Sequence, residues 1–121
     1  MDVPILRQGE FLIATIQAAL SDNDLFALRS KLFEYVVRSR ALGIIIDVTA
    51  LDILDSFGTR TLSEIALMCR LRGAETVIVG VQPEVAFTMV QLGLTLEGVT
   101  TALDLEEGLA HLGRRSKLLK R

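Results

Sequence analysis

The chain has 121 residues, half of them hydrophobic, which suits one compact domain over residues 1–121 and is too short for two ordinary ones. Mean hydropathy is +0.46, yet no apolar run approaches the ~18–20 residues that span a bilayer, so no membrane role is expected and surplus apolar surface points to self-association. Net charge is −2, but Arg114, Arg115, Lys117, Lys120 and Arg121 leave the rest of the chain with eight basic against fifteen acidic residues, a poor nucleic-acid surface.

The opening MDVPILRQGE has no basic stretch leading into an apolar one and does not read as a secretory signal. Val3–Leu6 and Phe11–Thr15 read as two short strands, and Gln8-Gly9 between them signals a hairpin. Asp22 or Asp24 is expected to cap a helix running to about Arg40, with Leu25, Leu28, Leu32, Tyr35 and Val36 on one apolar face. Ile44–Val48 lacks polar alternation, as a strand buried on both faces does. A second helix near Phe57–Arg72 buries Leu62, Ile65, Ala66 and Cys69 and turns Arg60, Ser63, Glu64 and Arg70 toward water. Cys69 is the one cysteine; no internal disulfide is possible, which suits a reducing compartment, and its apolar stripe predicts an inert buried thiol.

Thr76–Val81 is the next buried strand. Pro83 and Glu84 open a helix that carries Val85, Phe87, Met89, Val90 and Leu92 and stops at Gly93. Gly73 and Gly93 read as helix C-caps, and Gly80 as a strand end or a point of close approach. A short strand near Thr100–Leu103 leads to Asp104, which with Glu107 forms a capping signal for a last helix holding Leu105, Leu109 and Leu112. His111, the single histidine, is expected to be exposed or helix-terminal, and residues 114–121 to be a frayed basic tail. The order β-β-α-β-α-β-α-β-α predicts an α/β fold with about four helices and a mostly parallel sheet, mixed at the edge by the N-terminal hairpin. Ligand sites in such sheets lie at the carboxyl rim, where Val48–Ser56 and Gln82-Pro83 are both expected.

Asp55-Ser56-Phe57-Gly58 is the most pointed stretch at that rim. A hydroxyl at a helix start is favourably placed to carry a phosphate, while Asp47, Asp52 and Asp55 would oppose one, so Ser56 reads as a charge switch. From the residues alone it reads sooner as an N-cap, a role compatible with the switch. The three aspartates are expected to be solvated or capping, with a cation or phosphoryl site as the rival reading. Phe57 is either a buried anchor or an exposed partner contact.

These features resemble the STAS domain family, the fold of bacterial anti-sigma-factor antagonists. The resemblance rests on the apolar strand into Asp47, Asp55-Ser56-Phe57-Gly58, Arg72-Gly73-Ala74, Gln82-Pro83-Glu84-Val85-Ala86 and Gln91-Leu92-Gly93-Leu94, and it covers nearly the whole chain. The last two stretches look most like the stressosome branch. Serine at the switch position, and no long N-terminal sensory extension, favour its small members over the RsbR-type paralogues. The resemblance implies a cytoplasmic, non-enzymatic scaffold without a cofactor or metal of its own. Its implied partners are RsbR-like STAS paralogues in a homo- and hetero-oligomer, an RsbT-like serine kinase that it sequesters, and a reset phosphatase. Ser56 becomes the phosphoacceptor, Thr59 its backup, and Asp47, Asp52, Asp55, Phe57 and Gly58 the switch loop. Many antagonists carry two adjacent hydroxyls here; Phe57 replaces the second. The resemblance also admits a conventional antagonist binding an anti-sigma kinase one to one, and a scaffold that does not switch.

Overall fold

The computed structural model describes residues 2–119. In chain order the elements are β1 (Ile5–Gln8), β2 (Phe11–Thr15), α1 (Asp22–Ser39), β3 (Gly43–Asp47), α2 (Ser56–Leu71), β4 (Glu75–Val79), α3 (Pro83–Gln91), β5 (Thr100–Ala102) and α4 (Leu105–Leu119). The five strands form one sheet in the order β1-β2-β3-β4-β5. β1 runs antiparallel to β2, and every other pairing is parallel, as the alternation of strands and helices predicts.

The central strand sets the layers. Ile44, Ile45 and Ile46 are all fully buried, and each is worth about 1.5–3 kcal/mol of burial. Ile44 and Ile46 pack with Ala14, Ile78, Leu32, Leu62, Val85 and Met89, in the core beneath α1, α2 and α3. Ile45 joins Ile13, Val77, Val79 and Leu112 in a smaller core beneath α4. α4 sits close: a Cβ on Gly43 would lie 2.7 Å from a Leu112 methyl, and one on Gly108 2.8 Å from Val79.

Some boundaries differ from expectation. β1 begins two residues later than predicted, because Val3 is buried in the core instead of pairing in the ladder. The cap of α1 is Ser21, not Asp22 or Asp24; its hydroxyl accepts from the Asp24 N–H at 3.1 Å, and Asp24 accepts in return from the Ser21 N–H at 3.1 Å. His111 is half-buried within α4, with Nε2 3.1 Å from Glu75 Oε2. The basic tail is helical through Leu119, anchored by a hydrogen bond from Ser116 Oγ to Glu10 Oε2 at 2.7 Å; Lys120 and Arg121 lie outside the described residues. Among the described residues, no helix is long and apolar enough to cross a membrane.

Cys69 is fully buried on α2, and burial pushes its thiol up to about 11. Folding therefore opposes its ionisation: this contribution is intact below the ordinary thiol value of 9.0 and is lost as pH rises toward about 11. The expected outcome is slow alkylation of Cys69 in the native protein at pH 8 and rapid alkylation in urea, read by mass spectrometry. Equal rates would place the thiol at an accessible surface.

Candidate functional site

The loop leaving β3 is tied down by its own side chains. Asp47 Oδ1 accepts from the Thr49 N–H at 2.9 Å and from the Thr49 hydroxyl at 2.6 Å. Gln82, just before α3, donates from Nε2 to the Thr49 carbonyl at 2.7 Å. Gly80 has φ +80°, and a Cβ there would fall 1.9 Å from Thr49 Oγ1, so close approach as well as strand ending requires glycine. The two segments expected at the rim thus also touch each other. Leu51 and Leu54 anchor the loop in the core, while Asp52 and Ile53 between and beside them stay exposed.

The start of α2 separates two roles that the sequence leaves merged. Asp55 is the N-cap; its carboxylate accepts from the Gly58 N–H at 2.7 Å. Ser56 is the first helical residue and is exposed, so the reading of Ser56 as the cap is corrected. A serine has the shape for that task, but Asp one residue earlier takes the N–H instead. A Cβ on Gly58 would lie 3.0 Å from Leu54 and 3.2 Å from the Asp55 carboxylate, which explains a small residue there. Thr59 is 2% exposed, and its hydroxyl has no hydrogen-bond partner. Ser56 is thus open to solvent, and Thr59 is not.

Phe57 is half-buried and meets the edge of Phe26, with ring centroids 5.4 Å apart at 78°. Arg60 lies 5.8 Å from the Phe57 ring centre, and Arg29 lies 5.0 Å from that of Phe26. Arg29 is held in turn by Glu64 at 2.6 Å. Phe57 is therefore an anchor on one side and surface on the other. Beside it, Ser56, Thr59, Arg60 and Ser63 form one wall of a groove of about 290 Å³, and Gly93, Leu94, Thr95 and Glu97 form the other.

Asp55, Ser56, Phe57 and Gly58 share the first turn of α2; Asp47 is drawn inward by Thr49, and Asp52 stands apart in the loop. Among the described residues, no group of three or more His, Cys, Asp or Glu side chains is placed to hold a metal ion. Phe26 and Arg60 are contributors that the sequence reading missed; Thr49 and Gln82 lie in the rim segments it named, but their hydrogen bonds were not foreseen. Asp47-x-Thr49 is a side-chain turn signal, and Arg60 follows Ser56 at the helical i, i+4 spacing. Phe26 has no comparable sequence signal, because its partner lies on another helix.

The STAS domain model matches residues 2–108, and the chain belongs to the STAS domain family. An RsbS serine-to-glutamate variant from Moorella thermoacetica superposes with a TM-score of 0.83 at 32% identity, covering 97% of this chain and 99% of that one. A chain of the stressosome, a signal integration and transduction hub, gives a TM-score of 0.75 at 32% identity, covering 93% of this chain and 98% of that one. In sequence, the Bacillus subtilis RsbT co-antagonist protein RsbRA is 30% identical over 82 residues, 68% of this chain and 30% of that protein. The chain thus spans about a third of the length of that curated relative.

Because Asp55 is the cap, Asp55→Ala is expected to lower stability by about 1 kcal/mol, whereas Ser56→Ala should stay within about 0.5 kcal/mol of wild type in urea unfolding. The reverse order would return the cap to Ser56.

Proposed function

We propose that this chain is an RsbS-type stressosome scaffold protein that sequesters an RsbT-like serine kinase and releases it when Ser56 is phosphorylated. The observation that carries the reading is an exposed Ser56, free of capping duty, on a chain 32% identical to an RsbS variant over nearly its full length. Likeness to a stressosome chain and to an RsbT co-antagonist supports the same branch of the family. RsbR-like STAS paralogues are the assembly partners in this reading, and a phosphatase resets the site. The protein works in the cytoplasm, without enzymatic activity or a cofactor of its own.

The kinase brings ATP and Mg²⁺. The Ser56 Oγ–P bond forms as the bond from the γ-phosphorus to the ADP oxygen breaks, and the serine proton passes to a base of the kinase. The product carries about −1.5 to −2 charges next to the Asp55 carboxylate. A kinase docked on Phe57, Phe26 and Ile53 then meets a desolvated, doubly charged group, and binding weakens. Hydrophobic area for assembly is present elsewhere: Phe87 and Val90 are exposed one turn apart on α3, and Leu103 lines a groove with Val90.

Titration calorimetry with the cognate kinase tests the switch. Ser56→Ala should bind like wild type, and Ser56→Asp at least about tenfold more weakly, or about 1.4 kcal/mol. Equal binding by both variants would remove the electrostatic switch. A one-to-one complex with the kinase, with no large assembly when an RsbR-like paralogue is added, would favour the conventional antagonist.

A further inference from the structure

We propose that the groove between α2 and the segment 93–97 is a receiving site for a phosphoryl group carried by Ser56. This inference rests on Ser56 being the modified residue, and it assigns the groups that hold the modification in place. Arg60 is one helical turn beyond Ser56, on the same wall of the groove. It faces the Phe57 ring at 5.8 Å and, among the described residues, has no carboxylate partner. Thr59 supplies the second observation. It lines the same groove, is 2% exposed, and its hydroxyl is an orphaned donor. A buried hydroxyl without a partner costs stability, and a phosphoryl oxygen at Ser56 satisfies it.

The geometry also sets a direction. Asp55 already occupies the Gly58 N–H, so the helix start alone does not hold the phosphate. Glu97 on the far wall repels it toward α2. Arg60 leaves the Phe57 ring and pairs with the phosphate through charge-assisted hydrogen bonds, while Thr59 Oγ1 donates from below. Phosphorylation therefore changes two things at once: it adds charge at Ser56, and it draws the Arg60 guanidinium away from the Phe57 ring on which the kinase docks.

The test is a ³¹P NMR titration of the full chain with phosphoserine installed at position 56 by genetic-code expansion, in about 0.3 M salt to screen unpaired surface charges. A free phosphoserine loses its second proton near pH ~6. The wild-type midpoint should lie below that value. Arg60→Gln should raise it by about half a unit to one unit, Thr59→Val by less, and Arg60→Lys should stay nearer wild type than Arg60→Gln. A wild-type midpoint that Arg60→Gln does not move overturns the receiving site. Because the phosphate is installed during synthesis, this result is independent of whether a kinase modifies Ser56 in cells.

Discussion

Burial of β3 on both faces is the constraint from which the site follows. Ile44 and Ile46 face the layer of α1, α2 and α3, and Ile45 faces α4, so the strand cannot slip by one residue without moving every one of these side chains into the wrong core. Its register with β2 and β4 is fixed from Gly43 to Asp47. The chain therefore emerges at Asp47 in one defined place. Leu51 and Leu54 then return to the core, and the loop between Asp47 and Asp55 has little freedom in where it delivers α2.

That delivery divides labour between two adjacent residues. Asp55 meets the structural need of the helix start by accepting the Gly58 N–H, and Ser56 is left without a structural task. A residue that holds the helix together is a poor place for a reversible modification, since each cycle would unsettle the fold. Moving the cap one position back makes a charge change at Ser56 compatible with an unchanged scaffold. The Asp55 carboxylate lies on the loop side of Ser56, and Arg60 and the Thr59 hydroxyl lie on the helix side.

Much of this was legible in the sequence because it depends on local pattern. The unbroken apolar run at Ile44–Ile46 marks a central strand, and the spacing of Leu62, Ile65 and Cys69 marks the inner face of α2. Pro83 and Gly93 bracket α3 as the sequence implied. What stayed hidden depends on distance in space. Ser21 competes with Asp22 and Asp24 for one cap, and all three are acceptable in sequence. Asp55 and Ser56 pose the same choice. His111 finds Glu75, 36 residues away, and Ser116 finds Glu10, 106 residues away, so neither the histidine's burial nor the helical tail was readable from neighbours. Phe57 meets Phe26 for the same reason, across two helices.

The measurement that bears most directly on the switch is phosphosite mapping by mass spectrometry on the protein isolated from its native cells, with and without stress. The account predicts phosphate on Ser56 that rises under stress, with Thr59 unmodified behind it. An unmodified Ser56 under every stress applied, with the cognate kinase present, would contradict the switch and leave a scaffold that does not signal through this residue.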